Sequence, residues 1–113
     1  MAKSKPTITN QTLQVLSAMV EDPEQEWYGL ELSKRSRLKP GTIYPILARL
    51  LDSAWVERRW EEIDPAKEGR PRRRLYRLTR IGETAARLAL DEHLASLGLA
   101  AREPKPQGRL GLA

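Results

Sequence analysis

A chain of 113 residues carrying a net charge of +5 has room for one domain with a modest core, and a chain this short leaves enough apolar surface uncovered that pairing with a second copy is expected. Arginine supplies 14 of the 20 basic residues, which favours planar, two-pronged contacts with phosphates or base edges over plain solubility. With no cysteine and the single histidine His93, the sequence offers no thiolate nucleophile, disulfide framework, cysteine zinc site or multi-histidine centre, so no metal or cofactor is expected.

Catalysis is excluded on inventory. A Ser or Thr nucleophile lacks a base, since the one histidine sits in the helical segment "DEHLASL", and no Gly-x-Ser-x-Gly turn or phosphate-cradling Gly-rich loop occurs. Glu61 and Glu62 lie beside a charged loop with nothing apolar to raise a carboxyl pKa. No apolar run reaches membrane-spanning length, and "MAKSKPTITN" lacks the apolar core of a signal peptide, so a cytoplasmic protein is expected.

In chain order, residues 1–8 are expected to be a flexible start. "TITNQTLQVLSAMV" predicts a first helix capped by Thr9, with Leu13, Leu16 and Val20 on one face and Ile8, Val15 and Met19 on another. After the break "EDPEQE", "WYGLELSKRSRL" predicts a second helix in which Gly29 permits close approach of a neighbour, and whose end is basic through Lys34, Arg35, Arg37 and Lys39. Pro40 opens a third helix running to Asp52 or Ser53. Ile43, Ile46, Leu47, Leu50 and Leu51 form its apolar arc. Gly41, Thr42, Pro45, Ala48, Arg49 and Asp52 form the other, with Tyr44 at the boundary. An outer face of small residues, one hydroxyl and one arginine suits a helix lying against a groove.

"AWVERRW" and "RRRLYRL" predict two strands joined by the loop "EEIDPAKEG", a hairpin whose far arm, Gly69 to Thr79, holds five arginines and no acid. Thr79 caps a fourth helix with two apolar faces. Ile81, Ala85 and Leu88 are expected to close the domain, while Leu90, Leu94 and Leu97, with Ala86 and His93 nearby, await a second partner. From residue 99 the chain reads as a flexible tail. The order α-α-α-β-β-α, mainly helical with a small β-hairpin, is that of a winged helix-turn-helix, whose third helix enters the DNA major groove.

The stretches "YGLELSKRSRLKPGTIYPILARLLDSAWVERRWEE" and "GRPRRRLYRLTRIGE" also resemble the PadR-like transcriptional regulators. They carry a Tyr-Gly helix, a Pro-Gly-Thr-apolar-Tyr-Pro entry into the recognition helix and a Gly-x-Pro-Arg wing leading into Tyr-Arg-Leu-Thr. The resemblance implies a repressor-type regulator binding an inverted repeat as a homodimer, with residues 9–79 as the DNA-binding domain and 80–98 as the dimerisation helix. Thr42 and Tyr44 match the recognition-helix entry, and Gly69, Arg70, Pro71 and Arg72 match the wing. Ala54 stands where the family usually has Gly at the turn into a strand, and Leu75 replaces a usual Tyr. Some relatives stack small-molecule effectors on aromatic side chains of the last helix; this sequence has no aromatic residue beyond Tyr76, so an effector, should one exist, binds otherwise.

The expected DNA contacts are therefore Lys34, Arg35, Lys39, Gly41, Thr42, Tyr44, Pro45, Arg49, Arg70, Arg72 and Arg74. Arg70 and Arg72 belong to the wing tip, Arg74 to a strand flank near phosphate, and Arg49 to a guanine edge or to an ion pair with Asp52 or Glu57. The expected dimer interface comprises Ile8, Val15, Met19, Leu90, His93, Leu94 and Leu97. Two other functions use the same basic residues: a winged-helix adaptor binding an acidic protein, and a nonspecific architectural DNA binder.

Overall fold

The computed structural model describes residues 5–99. The expectations for a frayed start and a flexible tail concern mostly residues outside that range.

Helix α1 spans Asn10–Val20, and the Thr9 side chain caps it by accepting from the Thr12 N–H at 3.1 Å. A two-residue strand β1, Trp27–Tyr28, leads directly into α2, Gly29–Ser36. The sequence places Trp27 and Tyr28 in the helix; pairing with a strand far along the chain holds them extended instead. Arg37 then adopts a left-handed conformation (φ 60°), which lets the Leu38 N–H reach back to the Ser33 carbonyl and turns the chain into α3, Pro40–Asp52. Pro40 occupies the first helical position and Pro45 lies exposed inside α3 without ending it.

Strand β2 (Val56–Trp60), a one-turn helix α4 (Pro65–Glu68) and strand β3 (Arg74–Leu78) form the wing, and α5 (Arg80–Ser96) follows under a Thr79 cap. The segment expected as plain loop thus contains a helical turn, capped by Asp64, whose side chain accepts from the Ala66 N–H. The hairpin is part of a three-stranded antiparallel sheet ordered β1-β3-β2, with Trp27 opposite Tyr76, and Val56 through Trp60 opposite Leu78 through Arg74.

One core joins the helices to the sheet. Ile43, Ile46, Leu47 and Leu50 of α3 are buried as expected, against Leu16, Met19, Leu32, Trp55, Val56, Tyr76 and Leu78. Two expectations about packing are corrected. Val15 and Met19 do not offer a surface to a second copy: α1 lies between α2 and α5, and both side chains are fully buried within one chain. The two faces of α5 are only partly as expected: Ala85 packs against the core and Leu97 stays outside. Gly82 and Ala86 turn inward and Leu90, His93 and Leu94 are half-buried, while Ile81 and Leu88, expected to close the domain, are exposed.

The inward face of α5 is its small-residue face because the helix closely approaches the backbone of Trp55, just ahead of β2. A Cβ on Gly82 would sit 1.8 Å from the Trp55 carbonyl oxygen. Thr79 seals the joint: its N–H donates to that carbonyl, and its hydroxyl donates to the Ala54 carbonyl at 2.7 Å. Ala54 itself is left-handed (φ 62°), the conformation that a glycine would take without strain.

Candidate nucleic-acid interface

The outer face of α3 is open. Gly41, Tyr44, Pro45, Ala48 and Arg49 are exposed, Thr42 is half-buried, and a Cβ on Gly41 would meet nothing within 4 Å among the described residues. Arg49 makes no ion pair among the described residues. Glu57, one of its two expected partners, is instead held by Arg77 at 2.8 Å. Tyr44 lies across Gly29, where an added Cβ would be 2.4 Å from its hydroxyl, so the glycine lets the ring lie flat at the junction of α2 and α3.

Between α2, the start of α3 and the wing runs a cleft of about 570 Å³. It brings Lys34 and Tyr44 together with Arg72, Arg73 and Arg74, over aromatic walls from Tyr28, Trp60 and Tyr76. Lys39, Gly41, Thr42, Pro45 and Arg49 do not line it and belong to the convex helix face beside it. Arg35 is not part of this grouping: it pairs with Glu21 and lines a second cleft, on the α1 and α5 side, together with Leu90 and His93.

The wing arginines are each held differently. Arg72 donates from Nε to the Ile63 carbonyl at 3.3 Å. Arg73 lies over the Tyr28 ring, 5.1 Å from its centroid, and Arg74 over the Trp60 ring at 4.1 Å, geometry in which the ring face attracts the cation. Arg74 Nε is buried and finds no hydrogen-bond acceptor among the described residues. Of the two tryptophans near the ends of β2, Trp55 is in the core, and Trp60 stays 54% exposed beneath Arg74.

Arg70 departs most from expectation. Its guanidinium does not project from the tip but grips Glu61, with Nη1 2.6 Å from Oε1 and Nη2 3.1 Å from Oε2. Glu61 is only 6% exposed and also accepts from the Tyr28 hydroxyl and the Arg73 N–H. Hydrogen bonding to Arg70 and Tyr28 pulls its carboxyl down to about 2, and the same carboxylate pushes the Tyr28 hydroxyl above its ordinary value. Glu61 and Tyr28 were the residues missed: the acid reads as part of a charged loop, and its partners come from a strand and a wing arm that only the fold brings near.

Among the described residues no group of acids and histidine is arranged to hold a metal ion, and no helix is long and apolar enough to cross a membrane. No curated protein matches the chain. Among solved structures it is similar to a PadR family transcription regulator from hypervirulent Clostridium difficile R20291, at TM-score 0.63 and 21% identity over 80% of this chain and 92% of that one. Overoxidized AbfR bound to DNA is similar at TM-score 0.60 and 26% identity, over 80% of this chain and 60% of AbfR. A possible transcriptional regulator from Methanosarcina mazei Go1 follows at TM-score 0.56 and 16% identity, over 85% of this chain and 81% of that one. The model of the transcriptional regulator PadR-like family matches residues 15–88, from the middle of α1 to the middle of α5. The resemblance noted from the Tyr-Gly helix and the Gly-Arg-Pro-Arg wing is therefore membership: the chain belongs to the PadR-like family of transcriptional regulators.

Proposed function

We propose that this protein is a sequence-specific regulator, a repressor in the cytoplasm, that binds an inverted repeat as a homodimer. The observation that carries this is the pairing of an unobstructed, small and polar α3 face with the adjoining cationic cleft. The cleft is suited to phosphates through Lys34, Tyr44 and Arg72, while Thr42, Pro45 and Arg49 on α3 are suited to base edges. A protein-binding face would instead carry large apolar anchors.

A second copy is favoured by the apolar side chains left outside. Ile81, Leu88 and Leu97 are more than half exposed, and Ile8 is 37% exposed. The proposed dimer surface is centred on the exposed Ile81, Leu88 and Leu97 with Ile8, takes the half-buried Leu90, His93 and Leu94 only through their exposed edges, and loses Val15 and Met19. Two copies related by a dyad would each read one half-site.

The deciding experiment is selection of fragmented genomic DNA on the purified protein, followed by titration of the enriched fragment against random duplex. Enrichment of one inverted repeat bound at least ~10³-fold above random DNA is expected. Salt-sensitive binding without enrichment would leave a nonspecific binder. Sedimentation of Leu88→Glu is expected to show monomer; a persisting dimer would move the interface off α5.

A further inference from the structure

The wing is closed by one buried acid. Glu61 follows the last residue of β2, and its backbone extends the ladder by donating to the Arg73 carbonyl at 2.9 Å. Its carboxylate gathers the Arg70 guanidinium, the Arg73 N–H at 3.0 Å and the Tyr28 hydroxyl. Arg70 and Arg73 belong to the returning arm of the wing, and Tyr28 is the last residue before α2. A single side chain thus ties both arms of the wing to the point where the helix-turn-helix begins.

We infer that Glu61, with Arg70 and Tyr28, is a clasp that fixes the wing against the helix-turn-helix, and that Arg70 serves DNA binding through Glu61 and not by touching a phosphate. This inference rests on the DNA-binding function proposed above. Arg72, Arg73 and Arg74 directly follow the clasped Arg70–Pro71 step, and Arg73 stacks on the ring of the same Tyr28 that the clasp holds. Clasped, they face the cleft beside Lys34 and Tyr44 before any ligand arrives. Unclasped, residues 61–73 have to be ordered at the moment of binding, and affinity falls by the cost of that ordering.

Simple electrostatics predicts the opposite sign. Removing an acid from a cationic DNA-facing wing raises the net charge by one and should tighten binding to any duplex. The clasp predicts that Glu61→Gln binds more weakly. Positions 61, 70 and 28 are therefore tested at 25 °C on random and selected duplex over a salt series, each variant first shown to be folded by near-ultraviolet circular dichroism.

Glu61→Gln is expected to lose about tenfold or more on both duplexes, with the salt slope little changed, because the wing still reaches its phosphates once it has been ordered. Arg70→Ala should lose about as much, and the double variant no more than either, because the two substitutions break one unit. Tyr28→Phe keeps the Arg70–Glu61 pair, so it is the variant to rely on should Glu61→Gln fail to fold; a smaller loss on both duplexes is expected. Amide exchange at Arg73 should speed up in Glu61→Gln. Glu61→Gln binding as tightly as wild type or tighter, with Arg70→Ala weaker, would overturn the clasp and make Arg70 a direct phosphate ligand. Wild type binding no duplex would sink the proposed function; Arg73 exchange would then judge the clasp alone, and an unchanged rate would overturn it.

Discussion

The outer face of α3 and the wing both point basic residues away from the core, yet they are built on opposite plans. On α3, Arg49 has no ion pair among the described residues and stands among small residues, and Gly41 is exposed. On the wing, Arg70, Arg72, Arg73, Arg74 and Arg77 each have a partner: a buried acid, a carbonyl, two aromatic rings and an exposed Glu57. A face left unengaged can adapt to one set of base edges. Side chains already held lose little freedom when a phosphate arrives. Charge density alone therefore says little about role, because five arginines in one short stretch have four kinds of partner.

Both regions hang from the joint between β2 and α5, so the harshest break is made there. Gly82→Ala drives a methyl group into the Trp55 carbonyl, backbone against backbone, and should cost about 3 kcal/mol or more in urea unfolding. A wild-type midpoint would show the joint to be looser than its contacts imply. The contrast itself is sharpened by Arg49→Ala, expected to cost about 2 kcal/mol on the selected operator and little on random duplex, with the salt slope nearly unchanged. Equal losses on both duplexes would make Arg49 one more phosphate contact and erase the contrast. Arg72→Ala should do the reverse, weakening all duplexes alike and lowering the slope by about one.

Acid separates the regions a third way. The Glu61 carboxyl titrates near 2 in the folded chain, below its ordinary 4.5, so its share of stability is complete above pH 4.5 and drains away as the pH falls toward 2. Urea midpoints measured from pH 6 to pH 2 should drop less steeply in Glu61→Gln than in wild type; parallel curves would remove Glu61 from the acid response. The smallest effect is expected at the turn into β2. Ala54→Gly relieves a left-handed alanine while adding freedom to the unfolded chain, for a net gain of about 0.5 kcal/mol, and a loss would mean the methyl packs usefully.

Helices announced themselves through caps that act within a few residues, Thr9, Pro40 and Thr79, and α3 through an apolar arc repeating every three or four positions. Strand β1 was invisible because two residues have no period, and Trp27 and Tyr28 are extended only by virtue of Tyr76 and Leu75. The faces of α5 were legible as two faces but not as inner and outer. Large residues suggest burial, whereas tight approach to Trp55 selected Gly82 and Ala86. In the cleft beside the wing, Lys34, Tyr44, Arg72 and Arg74 come together. Arg70 does not join them, because its partner Glu61 lies nine residues back and becomes its neighbour only once the hairpin has closed.

The contact between Gly82 and the Trp55 carbonyl leaves no slack where α5 departs, and a helix rises about 1.5 Å per residue, so Ile81 to Leu97 measures off about 24 Å along a stiff rod. If two such rods clasp each other, the gap between the two α3 helices is a manufactured length and not an average over a flexible tether. The molecule then works as a ruler, and operators whose halves lie one base pair too near or too far are refused by geometry before any base is read.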